Sequence, residues 1–336
     1  MAVNGICLRP AKDFEWAGVK IPDSLTIKFF VPDSERHVIE EGKNAHFIIA
    51  PSHSILIGES IFANLPNLRV VQLTGAGYDK VDLEAAAKHG IPVAHAPGQN
   101  SRSVAQYVFM MIGIISRRLF EASNMVKENK YAEARRKLTT PTLHEFGEQN
   151  LAVIGIGKIG REVARIGKFF GYNIGYFDVN RLLPEVEEKL GAKYYDFTDI
   201  LSWSDIISLH VPLMASTRSL IGEKELKAMK PTAILINISR GGIVDENALC
   251  KALRDKLIWG AGIDVFAEEP PPADHPFFQL NSEMKDRLVL SPHMGGRTQE
   301  ANKRMFSFAL ENVKTYLIDG KPLKCVVGSN NITREV

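Results

Sequence analysis

Three polar residues in the second half of the chain, Arg240, Glu269 and His293, each lie at or shortly after the end of a short apolar run typical of a buried strand. An arginine can hold a carboxylate in a two-pronged hydrogen bond, and a histidine can exchange a proton near neutral pH. A glutamate beside the histidine would orient its ring and raise its pKa. Taken singly, an arginine at a strand end more often forms a surface ion pair. A glutamate before a proline is usually a solvated loop acid, and a lone histidine usually has a structural role. Together they are candidates for an anion clamp, a proton donor and an orienting acid.

A glycine-rich turn over 155–160, of sequence Gly-Ile-Gly-Lys-Ile-Gly, points to a bound dinucleotide. The apolar run 151–154 precedes it as a strand, and a helix is predicted over 161–170, ended by the glycine that follows. A second strand over 173–177 finishes on Asp178. Such a glycine triplet alone also occurs in ordinary tight turns. The strand, turn, helix, strand and acid in this order favour a dinucleotide site.

Each residue type in this stretch has a physical task. Gly155 would permit the tight turn, Gly157 would let backbone approach a pyrophosphate, and Gly160 would let helix and strand pack closely. The N–H groups at the helix start, including those of Lys158 and Ile159, would face the anion. Asp178 can accept hydrogen bonds from both hydroxyls of an adenosine ribose. Together with the anion clamp and the proton donor, this is what hydride transfer to a 2-oxo acid requires.

Longer segments around these residues closely resemble signature segments of the D-isomer-specific 2-hydroxyacid dehydrogenases. They run in order over nearly the whole chain and comprise 74–79 (TGAGYD), 210–213 (HVPL) with Thr217, 236–245 (INISRGGIVD), 264–270 (DVFAEEP) and 291–296 (SPHMGG). Chance agreement over motifs of this length is implausible. The resemblance implies glyoxylate or hydroxypyruvate reductases and phosphoglycerate dehydrogenases as relatives.

The resemblance also implies roles by position. Arg240 would bind the carboxylate and carbonyl of the substrate, His293 would be the acid/base and Glu269 its partner. Backbone N–H groups of Ala76 and Gly77 would complete the carboxylate site. The implied NAD contacts are Gly155, Gly157, Lys158, Ile159, Gly160, Asp178, Val211, Pro212, Thr217, Ile238, Ser239, Arg240, Asp264, His293 and Gly296, with Asp264 at the nicotinamide amide and Val211 and Pro212 at the adenine.

The alternation of strand and helix signals along 336 residues predicts an α/β protein with two Rossmann-like, doubly wound parallel-sheet domains and a cleft between them. Residues 101–296 would form the NAD-binding domain. Residues 1–100 would form the substrate-binding domain together with 297–336, because the chain after the last strand is too short for a third domain. The helix predicted over 101–118 is apolar on every face, which favours either burial in one large core or packing against a second subunit in a homodimer. Residues 121–138 read as a more polar helical segment.

Composition narrows the class of protein. A net charge of +2 on 41 basic and 39 acidic residues gives no electrostatic reason to expect nucleic acid. The three cysteines, Cys7, Cys250 and Cys325, have no metal-ligand spacing, so we predict no metal. The first residues lack a secretory signal, and the longest apolar stretch is shorter than the roughly 20 residues that span a bilayer. A reducing cytoplasm and no membrane partner are therefore expected.

Three choices stay open at this stage. The loops over 51–55 and 73–78 contain no lysine or arginine, which favours a monoanionic substrate over D-3-phosphoglycerate. His53 and Tyr78 are then candidate contacts for the side group of the substrate. The alternative is a phosphate bound by a cation from elsewhere, since Lys80 lies just beyond the second loop and Arg102 opens the helix that follows. Asp178 favours NAD over NADP, although Arg181 nearby could neutralise a phosphate. A dinucleotide-sensing corepressor is the rival reading, disfavoured because no basic or disordered extension flanks the fold.

Overall fold

The computed structural model describes residues 3–52, 54–139 and 143–328. The chain divides into two compact units. The first consists of the residues up to Asn100 together with those from Arg297 onward, and the second of Ser101–Gly296. Each unit contains one parallel sheet covered by helices.

The described chain contains the following strands: β1 (Val3–Cys7), β2 (Leu25–Phe29), β3 (Phe47–Ala50), β4 (Val70–Leu73), β5 (Val93–Ala94), β6 (Asn150–Ile154), β7 (Asn173–Phe177), β8 (Ala192–Tyr194), β9 (Ile206–Leu209), β10 (Ile234–Asn237), β11 (Gly260–Ile263) and β12 (Leu288–Leu290). The helices are α1 (Ala11–Trp16), α2 (Glu35–Gly42), α3 (Glu59–Asn64), α4 (Leu83–Lys88), α5 (Ser101–Ser116), α6 (Leu119–Lys127), α7 (Tyr131–Leu138), α8 (Lys158–Phe170), α9 (Pro184–Leu190), α10 (Phe197–Trp203), α11 (Glu223–Ala228), α12 (Glu246–Arg254), α13 (Ser282–Lys285) and α14 (Gln299–Leu317). A 3₁₀ turn spans Pro276–Gln279.

The sheet of the first unit has the order β2-β1-β3-β4-β5, with every pair parallel. Its central strands β3 and β4 are buried on both faces, which explains their unbroken apolar runs. Helix α14 covers one face, where Phe306 stacks on Phe14 with ring centroids 4.3 Å apart. Near the chain end, Val326 pairs with Ala94 at the edge of β5. This unit is therefore completed by segments from both ends of the described chain.

The sheet of the second unit has the order β12-β11-β10-β9-β6-β7-β8, again parallel throughout. The strand order reverses between β6 and β9, where the connections leave toward opposite faces. Ligands of open parallel sheets bind at the carboxyl ends of the strands near such a point. The segments that follow β6, β7, β9, β10, β11 and β12 carry the candidate cofactor and catalytic residues.

The sequence predicted the prominent elements correctly and some weak ones wrongly. Gly171 ends α8 at φ 88°, and the Asp245 side chain caps α12 by accepting from the Ala248 N–H, both as predicted. The segment 121–138, read as one helical stretch, is two helices separated by Asn129 at φ 61°. The sequence did not predict β8 or α9, because β8 has three residues and α9 has no buried side chain.

Helix α5 is apolar on every face, but it is not covered on every face by its own chain. Its side chains Val108, Met111 and Ile112 are buried, whereas Met110 is 56% exposed. Within the part of the chain that the structure describes, no helix has the length and apolar character needed to cross a membrane.

Candidate active site

His293 and Glu269 contact one another directly in the second unit. His293 Nδ1 lies 3.0 Å from Glu269 Oε2, and the other carboxylate oxygen of Glu269 accepts the Phe266 N–H at 3.1 Å. The backbone of His293 is left-handed at φ 54°, and its N–H donates to the Asp264 carbonyl at 2.8 Å. With one ring nitrogen held by a carboxylate, the tautomer and orientation of the imidazole are defined. This pair can therefore deliver and recover a proton through Nε2.

Arg240 leaves β10 in a loop organised by Asn237. The Asn237 side chain donates to the Arg240 carbonyl at 2.9 Å and accepts from both the N–H and the hydroxyl of Ser239. The guanidinium donates to the Ser239 carbonyl at 2.7 Å. A Cβ at Gly241 would lie 1.8 Å from the Phe266 carbonyl oxygen, so only glycine lets this loop contact the one that carries Glu269. The arginine and glutamate loops are thus packed against each other.

Asp264 fixes the loop that carries His293. One carboxylate oxygen accepts the Ser291 hydroxyl at 2.6 Å and the Met294 N–H at 2.7 Å, and the other accepts the Gly295 N–H at 2.9 Å. Asp264 is 1% exposed, and burial raises the pKa of its carboxyl above its usual range. Its nicotinamide contact stays a prediction. Its observed contacts hold Ser291, Met294 and Gly295 on either side of His293.

The glycine turn leaves room for a phosphate beside the start of α8. Gly155 has φ 93°, and a Cβ there would lie 2.8 Å from the His210 backbone. A Cβ at Gly160 would lie 2.2 Å from the Gly155 carbonyl oxygen, whereas one at Gly157 would meet nothing within 4 Å. The open side of the turn is therefore at Gly157. The N–H groups of Lys158 and Ile159 belong to the first turn of α8, where backbone donors have no intrahelical acceptor.

Asp178 stands at the end of β7 with its carboxylate directed to the glycine turn. Its Oδ2 accepts the Ile156 N–H at 2.9 Å, and its Oδ1 accepts the Asn180 N–H at 2.9 Å. A carboxylate has about four acceptor positions, so capacity remains for two ribose hydroxyls. An open glycine turn, helix N–H donors and a fixed acceptor together fit a dinucleotide, and they are the groups that would hold NAD.

The loop after β9 carries His210, Val211, Pro212 and Thr217. The Thr217 hydroxyl donates to the Pro212 carbonyl at 2.6 Å and accepts from the Met214 N–H at 2.8 Å, which closes the loop on itself. His210 Nε2 lies 2.8 Å from the Ser208 hydroxyl, and its buried Nδ1 has no partner among the described residues. Val211 and Ile238 flank this edge of the sheet at the ends of neighbouring strands.

Sequence reasoning assigned no role to a second pair, Glu246 and His275. Glu246 Oε1 accepts the Ala267 N–H at 2.9 Å, and Oε2 lies 3.1 Å from Nε2 of the almost fully buried His275. The pair therefore stabilises the loop after β11, which carries Glu269. The sequence offered two signals: His275 stands before a proline, and Glu246 directly follows the helix cap Asp245. Neither signal reveals that the two side chains contact each other, because only the fold brings them together. The role of Asn237 was likewise not predicted, although it is a polar residue at the end of an apolar run.

In the first unit, the loops after β3 and β4 contact one another. A Cβ at Gly75 would lie 3.1 Å from the Ser52 hydroxyl, and His95 Nδ1 lies 2.8 Å from the Ala76 carbonyl. His95 therefore fixes the Ala76 carbonyl, next to the Ala76 and Gly77 N–H groups predicted to bind the substrate. Tyr78 packs edge-on against the same histidine at 5.7 Å. His53, the other predicted side-group contact, lies outside the described residues.

One cation near this end of the first sheet was missed by the sequence reading. Arg9 follows β1, and its guanidinium donates to Asp13 at 2.8 Å and lies over the Phe306 ring at 5.2 Å. Its charge is therefore paired within the unit. Among the described residues, no group of three or more His, Cys, Asp or Glu side chains is placed to hold a metal ion.

Comparison with known proteins agrees with this geometry. Residues 109–295 match the family model for the NAD binding domain of D-isomer specific 2-hydroxyacid dehydrogenases. The chain is 40% identical over 259 residues to a glyoxylate reductase of Thermococcus litoralis, covering 76% of each. Its fold is similar to a glyoxylate reductase from Paecilomyes thermophila (28% identity, TM-score 0.82, 97% and 98% of the two chains). It is also similar to D-lactate dehydrogenase of Aquifex aeolicus in complex with NAD and lactic acid (27%, 0.81, 96% and 98%). The chain belongs to the D-isomer specific 2-hydroxyacid dehydrogenases and is an NAD-dependent oxidoreductase.

Proposed function

We propose that this enzyme reduces a small monoanionic 2-oxo acid such as glyoxylate or hydroxypyruvate to the D-2-hydroxy acid. The observation that carries the proposal is the His293–Glu269 pair at 3.0 Å, together with the packing of the Glu269 loop against the Arg240 loop. These residues supply a proton donor, its orienting carboxylate and an anion clamp in one unit. The likeness to glyoxylate reductases supports the substrate class.

Each residue has a defined task in the proposed reaction. The glycine turn and Asp178 would hold NADH, which when bound would supply a hydride to the carbonyl carbon of the substrate. Arg240 binds the substrate carboxylate and stabilises the negative charge that develops on the carbonyl oxygen. His293, protonated, gives its Nε2 proton to that oxygen, and Glu269 stabilises the imidazolium through Nδ1. In the oxidative direction, the neutral His293 takes the hydroxyl proton.

The charges of the first unit support a monoanionic substrate. A phosphate group would need its own cations, because burying a second anion unpaired is costly. The described parts of the loops at 51–55 and 73–78 carry no lysine or arginine, and Arg9 is already paired with Asp13. We therefore expect phosphohydroxypyruvate to be a poor substrate. Ala76, Gly77 and Tyr78 are the proposed substrate contacts from this unit.

The test is a panel followed by NADH absorbance with glyoxylate, hydroxypyruvate, phosphohydroxypyruvate and pyruvate. The highest kcat/KM should fall on glyoxylate or hydroxypyruvate. A clear preference for phosphohydroxypyruvate would refute the monoanion argument, and turnover of none of them would refute the proposed substrate class. Arg240→Ala should raise KM and lower kcat together, since the arginine is proposed to act in both ground state and transition state.

We also propose that the enzyme is a homodimer joined through the second unit. Three phenylalanines, Phe146, Phe169 and Phe170, form an exposed aromatic cluster in this unit, and the exposed apolar side chains of α5 and α6 include Met110, Leu119 and Phe120. The Phe146 and Phe170 rings are 5.1 Å apart, and Phe169 is 85% exposed. An exposed aromatic cluster of this kind is typical of a protein interface.

A further inference from the structure

The loop between β7 and α9 holds an arginine in a closed ion pair close to the cofactor acid. Arg181 lies three residues past Asp178, and its Nε and a terminal nitrogen lie 3.0 and 3.2 Å from the two carboxylate oxygens of Glu187. The same guanidinium lies over the Tyr194 ring at 5.3 Å. Two-pronged pairing with a carboxylate uses the donors that would otherwise suit a phosphate.

Glu187 is itself held in place by a buried tyrosine. The Tyr176 hydroxyl donates to Glu187 Oε1 at 2.5 Å and accepts the Leu182 N–H at 2.9 Å. Burial raises the pKa of Tyr176 to about 12, so the hydroxyl remains a donor at neutral pH. The pKa of Glu187 is lowered by Arg181 and then by Tyr176, so its carboxylate stays charged. Tyr176 therefore holds Glu187 in place independently of Arg181.

The backbone on either side of Arg181 is also held by hydrogen bonds. Asp178 accepts the Asn180 N–H at one end, and Tyr176 accepts the Leu182 N–H at the other. Arg181 lies between these two anchors, so its backbone has little freedom to carry the guanidinium elsewhere. Its position is determined by Glu187, Tyr194 and the two anchored neighbours together.

We propose that Glu187 is a positioning residue for cofactor selectivity, acting by holding Arg181 in an ion pair and so withholding a cation from the 2'-phosphate of NADP. The inference rests on the proposed assignment of Asp178 to the adenosine ribose. Asp178 would then disfavour NADP by repulsion, and Glu187 would disfavour it by occupying the nearby arginine. Selectivity would thus depend on two acids, only one of which meets the nucleotide.

The experiment measures Kd for NADH and NADPH by nucleotide fluorescence in Asp178→Ser, Asp178→Ser/Glu187→Gln and the triple variant that adds Arg181→Ala. Asp178→Ser should weaken NADH relative to NADPH. Adding Glu187→Gln should tighten NADPH binding about tenfold, the worth of one charge-assisted contact, with the Kd for NADH within about twofold. Adding Arg181→Ala should cancel that gain.

Glu40→Gln in the Asp178→Ser background is the matched control. Glu40 pairs with Arg36 Nε at 2.8 Å in the first unit, so the same charge is lost and an arginine is released elsewhere. It should leave both Kd values unchanged. An equal gain in NADPH binding with Glu40→Gln, or a gain with Glu187→Gln that survives Arg181→Ala, would overturn the inference.

Other outcomes separate this inference from the proposed function. If Asp178→Ser changes neither Kd, the ribose assignment fails and the inference fails with it. If the binding shifts appear but no 2-oxo acid is reduced, the proposed substrate class is refuted and the inference stands. The Gln side chain keeps an acceptor for Tyr176, so an unchanged Kd for NADH also verifies the fold.

Discussion

At the scale of single residues, the His293 imidazole is the group proposed to move a proton. His293→Ala should lower kcat by about two to four orders of magnitude, the usual contribution of general acid–base catalysis. Although His293 is also an implied NAD contact, the Kd for NADH should change far less than kcat, because the proton is proposed to pass to the substrate. Steady-state kinetics combined with NADH titration checks both. Near-normal turnover in this variant would exclude the assignment.

A second histidine makes stability depend on pH. Burial lowers the pKa of His210 to about 3, well below its ordinary value of 6.5. The unfolded chain therefore binds this proton more tightly, so the contribution is complete above about pH 6.5 and is lost as the pH falls toward 3. At pH 5 the loss should be about 2 kcal/mol relative to pH 7.5.

His210→Gln supplies the reference for that measurement. The glutamine cannot titrate, so the decrease in unfolding free energy between pH 7.5 and pH 5, measured with urea, should be smaller than for the natural chain. Subtracting the decrease measured for His210→Gln from that of the natural chain removes the contribution of every other titrating group that the substitution leaves unaltered. Equal decreases in both proteins would show that His210 is not the group responsible.

The residue scale is also where prediction from sequence went furthest. Arg240, Glu269 and His293 could be singled out because the three residue types occur together at strand ends, inside segments that resemble signature segments of a known family. Asn237 and the Glu246–His275 pair could not, because their importance depends on contacts across 3 to 29 residues of chain that only the fold brings together. Asp178 was predicted as a ribose acceptor, but its hydrogen bond to the Ile156 N–H needed the structure.

At the scale of elements, the loop from β11 to the 3₁₀ turn should behave as one positioned unit. Glu246→Ala would release the Ala267 N–H and His275, so Glu269 would lose its fixed place against His293. We expect kcat to fall about ten- to a hundredfold, as small misplacements of catalytic groups do, with the Kd for NADH unchanged. Glu246→Gln should recover part of kcat, because its amide oxygen can still accept from Ala267.

Glu223→Ala is the control for that comparison. Glu223 also pairs with cations, Lys227 at 2.7 Å and Lys251 at 2.9 Å, but on the exposed surface of α11 and α12. Its loss should leave kcat as in the natural chain. If Glu246→Ala kept the full kcat, the glutamate would be a structural contact without a role in positioning.

Elements also show why parts of the fold escaped prediction. Long helices such as α5 and α14 were predicted because many of their residues carry a signal, which in α5 is an unbroken apolar composition. Strand β8 has too few residues to show alternation, and α9 is polar because none of its side chains is buried. The break between α6 and α7 depends on Asn129 at φ 61°, a conformation that asparagine adopts more easily than most residues.

At the scale of the whole molecule, the exposed apolar face of the second unit predicts the oligomeric state. Light scattering after size-exclusion chromatography should give about twice the chain mass of 37.3 kDa. Phe169→Glu would place a charge in the desolvated centre of the proposed interface and should shift the protein toward monomer. Val31→Glu, at an exposed apolar residue of the first unit, should not. A monomeric natural chain would contradict the homodimer.

The stacking of Phe14 on Phe306 has a consequence for how the protein is made. The first sheet leaves the ribosome early, but the helix that covers one of its faces emerges only after the entire second unit has been synthesised. Until then, the apolar face formed by Cys7, Phe47 and Val70 has no cover from α14. Nascent chains should therefore depend on chaperones until the final helix is released, whereas the second unit can complete its own core during translation.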